Sequence, residues 1–347
     1  MNRVTEMFRG LRAILGRGTS LVTLRGMVAV IGILLVGSVL SLIPYLGSSA
    51  ELVRLRNALL LDAAPLDASW AGSGFPHDFR MDSAPFPQSF VAFVQTHSGQ
   101  AIHGDWERSV SLASALIPDR GQRRAGAIQS SMTQTLERIM ARGDGYCGDY
   151  ADVFAGLMSV AGIQSRRWSF SFDQFGGHGH IFNEVWDAPS SSWRMLDLQH
   201  NFFPANPEGI PLSALQFRSA ILSGDRVSLL PIDQAAAFGF KTNEDAIGYY
   251  HRGLQGWYMT WGNNLFEQDR VWAANLLAPL HRALEQLAVI FSGKSPGIRL
   301  MVDEHNHDAA DRLLALRHRL LLISLLILLF GAAVSALVVR ALIRKRL

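Results

Sequence analysis

The sequence predicts an α+β domain carried between two transmembrane helices, with an additional, mostly helical segment. Three observations lead there. Met27 to Leu46 and Leu320 to Val339 each run 20 residues without an Asp, Glu, Lys or Arg, about what a helix needs to cross ~30 Å of hydrocarbon. Between them, one amphipathic helical pattern begins at Cys147. Three short, aromatic-rich strand patterns follow it, and a helix leading into an antiparallel meander is an α+β arrangement.

Charge decides how the two apolar runs are used. The chain has 347 residues, 49% hydrophobic and 18% charged, with a formal net charge of +3 and a pI near 9.2. It is too apolar to be disordered. Arg3, Arg9, Arg12, Arg17 and Arg25 against Glu6 give +4 before the first run, and Arg340, Arg344, Lys345 and Arg346 give +4 after the second, leaving −5 for residues 47 to 319. The part that folds in water is therefore mildly acidic and lacks the clustered cations that bind nucleic acid. The positive-inside rule puts both termini in the cytoplasm and the intervening residues on the far side, a two-pass arrangement in an inner membrane with a periplasmic or equivalent domain. Small residues at Ser48-Ser49-Ala50 resemble a signal-peptide cleavage site. The 17 apolar residues before Pro44 exceed the usual h-region of ~7 to 15, so the first run reads as an uncleaved anchor.

The elements follow in order. Residues 1–26 form a cytoplasmic N-terminus, 27–46 the first span and 47–88 a linker, with a short helical pattern over Ala50 to Leu61 and then Pro65, Pro76, Pro85 and Pro87. Residues 89–200 form the main domain. Ser89 to Leu116 and Ala127 to Met140 read as helices, separated by the turn-rich Pro118 to Gly126. From Cys147, the residues Tyr150, Val153, Phe154, Leu157, Met158 and Ala161 fall on one helix face, and Gly162 is placed to end it. Ser165 to Phe172, His180 to Trp186 and Trp193 to Gln199 read as strands. Residues 201–319 read as a mostly helical extension, helix-like and aromatic over Ala236 to Phe291. The second span, 320–339, and a tail, 340–347, complete the chain.

A chain with one cysteine makes no intrachain disulfide, so Cys147 is either a small buried hydrophobe or a thiol with a function. It would occupy the first helical turn, where unpaired N–H groups and the dipole favour an anion, the form a nucleophile needs. Asp149 and Asp152 would oppose that effect, so a cationic partner is required. If Trp186 pairs with Trp193, His180 and Asp197 project from the same sheet face on a diagonal. A Cys helix packed on that face would then give nucleophile, general base and orienter. His178 competes for the base but lies in a Gly-rich loop. Cys147, His178, His180 and Asp197 could also bind zinc, yet there is no CxxC and the histidine spacing is wrong for a helix. Asp303, Glu304, His305, His307 and Asp308 read as a polar juxtamembrane turn. No cofactor is implied. The Cys147 N–H is the natural first oxyanion donor, with Trp106, Gln134 and Tyr146 as candidates for the second.

The strings Gly145-Tyr146-Cys147-Gly148-Asp149-Tyr150-Ala151, Ala161-Gly162-Ile163-Gln164-Ser165-Arg166, Gly179-His180-Ile181-Phe182-Asn183-Glu184-Val185 and Trp193-Arg194-Met195-Leu196-Asp197 resemble the core of the transglutaminase-like superfamily, related in fold to papain-type thiol enzymes. The resemblance implies Cys147 as nucleophile, His180 as base and Asp197 as third member. Phe182 stands where the family usually has Trp, Ile181 where it has a small residue, and Leu198 where it often has Pro; these read as packing or specificity changes. The expected function is a membrane-anchored extracytoplasmic thiol enzyme acting on peptide or protein amides, a cysteine acyltransferase or protease. The alternative is a non-catalytic scaffold or binding module in a cell-envelope or polysaccharide assembly.

Overall fold

The computed structural model describes residues 21–70, 74–98, 104–117, 130–278, 280 and 282–345. The basic residues Arg3 to Arg17 and the whole of the turn expected over 118–126 lie outside them. The chain divides into two compact units, Met1–Leu55 with Ala315–Leu347, and Arg56–Leu314.

In the first unit, helix α1 (Leu21–Leu40) and the C-terminal part of the helix His307–Lys345 are long and apolar enough to cross a membrane, over Thr23–Leu40 and His307–Ile343. Many of their large apolar side chains are exposed, with Ile33 at 73% and Leu328 at 71%, while the second helix buries a stripe through Leu316, Leu320 and Ile323. Apolar surface exposed on this scale fits a lipid surround. The expected first span requires one correction. Helix α1 ends at Leu40, and the chain continues as a 3₁₀ turn over Ile43–Leu46, because Pro44 lacks an N–H and disfavours a helical residue before it.

The second unit is α+β. After α2 (Ser49–Leu60) and β1 (Arg80–Met81) come α3 (Gln88–His97), α4 (Asp105–Leu116), α5 (Met132–Arg142) and α6 (Cys147–Ala161). Helix α6 ends at Gly162, whose φ of 72° is the left-handed conformation that glycine adopts at least cost. Strands β2 (Ser165–Ser171), β3 (Gly179–Asp187) and β4 (Ser192–Leu196) form the meander, followed by β5 (Phe203–Ala205), α7 (Ala214–Ser223), β6 (Ser228–Leu230), α8 (Asn243–Arg252), β7 (Tyr258–Asn263), α9 (Leu265–Asp269), α10 (Trp272–Leu277), α11 (Arg282–Phe291), β8 (Gly297–Leu300) and α12 (His307–Lys345). Among the described residues the main sheet has six strands in the order β1-β7-β2-β3-β4, with β8 also on β7. All its pairings are antiparallel except β1 with β7.

Two expectations about this unit change. The helical reading of Ala236 to Phe291 gives way at β7, which lies inside the sheet between β1 and β2. Nearly all of that strand is buried, so its apolar run carries no period, and a short apolar run does not distinguish a buried strand from a buried helix. The Cys helix, moreover, packs on the opposite sheet face from the one expected. Val185 and Leu196 join Phe154, Leu157 and the helices α3 to α5 in one core. Trp168, Phe170, Phe182 and Met195, on the other face, pack with Phe217, Tyr250 and Trp257 in a second core. Since β3 is buried on both sides, its sequence alone does not mark the face that receives α6.

The second core is tied together by a buried carboxylate. Glu184 accepts from Arg166 Nε at 2.5 Å, Trp168 Nε1 at 2.5 Å and the Ala214 N–H at 2.6 Å. Arg166 in turn donates to the Ala68 carbonyl and lies 4.0 Å over the Trp193 ring. One ion pair thus joins β2, β3, the linker and the start of α7.

Candidate active site

The turn between α5 and α6 sets the position of Cys147. Gly143 closes α5 in the left-handed conformation, and Asp149 accepts the Tyr146 N–H at 2.8 Å, which fixes the start of α6. Cys147 is the first residue of that helix and is partly exposed. Its N–H belongs to the first four in the helix, which have no intrahelical acceptor. The two acidic residues that could oppose an anion here are engaged elsewhere: Asp149 with Tyr146, and Asp152 with Arg167 of β2.

His180 is the second residue of β3. Gly179 precedes it because a Cβ there would stand 1.9 Å from the Phe170 carbonyl oxygen of the neighbouring strand; only glycine allows β2 and β3 this close. Register does the rest. Trp186 pairs with Trp193 and Asn183 with Leu196, so Asp197, one residue beyond β4, falls diagonally across from His180. His180 Nε2 lies 2.8 Å from Asp197 Oδ2, with both side chains almost wholly buried. The Cys147 side chain also acts on His180, raising its pKa alongside Asp197. Nε2 is the nitrogen committed to Asp197.

The electrostatics follow from this chain of contacts. Burial alone pushes the His180 imidazolium down, but the charge and hydrogen bond of Asp197, together with Cys147, lift it to about 10. Burial pushes the Asp197 carboxyl up; the charges and hydrogen bonds of His180 and His200 overcome it and hold the group well below the usual carboxylate range. The site therefore favours an imidazolium beside the Asp197 carboxylate.

Residues 120–198 match the family model described as the transglutaminase-like superfamily. This part of the chain is a transglutaminase-like domain. No curated protein and no solved structure matches the chain. Within the transglutaminase-like stretch, the departures from the family pattern are packing positions. Phe182 is buried in the second core against Trp257, and Ile181 contacts α6, its Cγ2 3.9 Å from where a Cβ on Gly148 would stand.

Other candidate residues take different places. His178 is exposed, with Asp173 at 4.0 Å, and His305 and His307 are exposed beside Glu304 and Asp308. Of the candidate second oxyanion donors, Trp106 packs edge-on against Phe203, Gln134 is exposed on α5 with its N–H directed to the Ser131 hydroxyl, and the Tyr146 N–H is taken by Asp149. Two residues that sequence reasoning missed do reach the site. His200 Nδ1 lies 2.7 Å from Asp197 Oδ2, and the Tyr250 hydroxyl donates to the same oxygen at 2.7 Å. For His200 the signal was its place three residues after Asp197, which went unread; Tyr250, 53 residues away, had no local signal. His180, Asp197 and His200 hold three possible metal-ligand atoms within 4.8 Å, and the hydrogen bonds at 2.7 and 2.8 Å already account for that clustering.

Proposed function

We propose that the chain is a membrane-anchored thiol enzyme whose domain lies outside the cytoplasm and acts on peptide or protein amides through a Cys147 thioester. The observation that carries this reading is the buried His180–Asp197 pair, with the helix-terminal Cys147 close enough to raise the His180 pKa, inside a transglutaminase-like stretch. Cys147 as thiolate attacks the amide carbon, the C=O π pair moves to oxygen, and the Cys147 N–H supports that oxyanion. When the intermediate collapses, the C–N bond breaks and His180 Nδ1 gives its proton to the departing amine, leaving a thioester. Water or a second amine then attacks, giving up a proton to His180 as the C–S bond breaks and thiolate returns. Water gives proteolysis or amidase chemistry, and an amine gives acyl transfer. Asp197 keeps Nε2 protonated, so that Nδ1 is the nitrogen that cycles.

Because Cys147 is the single cysteine, alkylation tests this reading without ambiguity. At neutral pH Cys147 in the folded chain should react with iodoacetamide, and His180→Ala should slow that reaction at least ~10-fold by removing the partner cation. If Cys147 resists the reagent while folded, or Cys147→Ala fully complements a deletion, the enzyme reading fails and the domain serves as a binding module. Reporter fusions test the placement: a reporter at residue 210 should read extracytoplasmic and one after Leu347 cytoplasmic, and a cytoplasmic signal at 210 would overturn it.

A further inference from the structure

The Asp197 carboxylate is held by more donors than the matched stretch supplies. We propose that His200 and Tyr250, both beyond residues 120–198, are positioning residues that aim Asp197 at His180, which makes the chain after residue 200 a working part of the site. The proposal rests on the thiol-enzyme reading above.

An aspartate does not aim itself. Its terminal torsion is broad and roughly two-fold, so a single contact with His180 would leave Oδ2 free to swing away. Here the orientation is over-determined. Oδ1 accepts the His200 N–H at 3.1 Å, while Oδ2 accepts from the His200 ring, the Tyr250 hydroxyl and His180. Three of these contacts fall on Oδ2 and one on Oδ1, so Oδ2 is the oxygen held in place. The charges and hydrogen bonds of His180 and His200 hold the carboxyl well below the usual range, and facing that acceptor-only anion both His200 Nδ1 and His180 Nε2 carry hydrogen.

Each positioning residue is itself anchored. Asp197 and Phe202 exchange two backbone hydrogen bonds, closing a tight turn that returns His200 to the carboxylate. Asn201 in that turn has φ 56°, and its side chain donates to the Asp233 carbonyl and accepts the Asp233 N–H. The His200 ring stacks on Phe240 with centroids 4.2 Å apart. Tyr250, fully buried on α8, packs edge-on against Phe217 and Phe170. A ring fixed in a core and a ring fixed on a closed turn converge on one oxygen.

The test uses the full-length chain in detergent and alkylation by iodoacetate. This anionic reagent reacts fastest while thiolate and imidazolium coexist, so the alkaline limb of its rate profile reports loss of the His180 proton. Asp197→Asn sets the extreme, with the limb far below that of wild type. Tyr250→Phe, which removes one oxygen and keeps the ring, and His200→Ala should each move the limb down, and together by about one pH unit. His200→Asn, which keeps an N–H donor near the same point, should return most of the single shift. A purely structural role would lower thermal stability and leave the limb in place. If Asp197→Asn moves the limb and Tyr250→Phe and His200→Ala do not, the positioning proposal falls and the thiol-enzyme reading stands. If His180→Ala leaves the profile of wild type unchanged, that reading falls and takes the proposal with it. Should His200→Ala fail to fold, Tyr250→Phe alone decides.

Discussion

Asp197→Asn should lower kcat/KM on a peptide-amide substrate by about 10⁴-fold while the fold survives. Asparagine is nearly isosteric and still fills the buried site, so the loss comes from chemistry. Its amide would present an N–H to His180 Nε2, or an oxygen that carries no charge. The first case forces the imidazole proton onto Nδ1, where a base is needed. The second withdraws the charge that holds the His180 imidazolium at about 10. The pH dependence has a defined sign. A histidine whose folded value is raised contributes stability that is fully present below its ordinary value of about 6.5 and fades as pH rises through about 10. In Asp197→Asn that alkaline loss of stability should disappear. Denaturant midpoints for both proteins between pH 6 and pH 10 would show it, and parallel curves would refute the assignment.

Glu184→Ala should destabilise the second unit by about 3 to 5 kcal/mol, the usual cost of removing one partner of a buried ion pair. Arg166 and Glu184 side chains are 1% and 0% exposed, so water does not replace the lost contact. The variant strands the Arg166 charge, the Trp168 indole N–H and the first N–H of α7 at once. Glu184→Gln restores hydrogen-bond acceptance without the charge and should recover only part of the loss. Thermal unfolding followed by tryptophan fluorescence distinguishes the variants, and a shift in Tm of less than about 3 °C for Glu184→Ala would contradict the account. Glu184 shares its sheet face with His180, yet its partners are structural: it joins the linker and α7 to the meander.

The two residue sets differ in how far their reasons reach along the chain. The helix that starts at Cys147 and stops at Gly162 was legible because both signals are local, an apolar stripe of period 3.6 and a glycine free to turn left-handed. The pairing of Trp186 with Trp193 was a condition the sequence posed without fixing, since the six residues Asp187 to Ser192 allow more than one register; the structure meets it, and that register sets the diagonal between His180 and Asp197. The strand Tyr258–Asn263 was not legible, because burial on both faces erases the alternation that marks a strand. Nor was the face that receives α6.

Sequence by itself determined the two apolar helices, the acidic domain between basic ends, and the order in which thiol, histidine and aspartate occur, since each depends on composition or on neighbours within a turn or a hairpin. Only the tertiary structure decided that His200 and Tyr250 converge on Asp197 and that Glu184 is a structural clamp. Those contacts join segments up to 53 residues apart for Asp197 with Tyr250 and 98 for Arg166 with Ala68. A folded core selects such partners through volume and hydrogen-bond satisfaction, and neither leaves a period or a spacing in the chain.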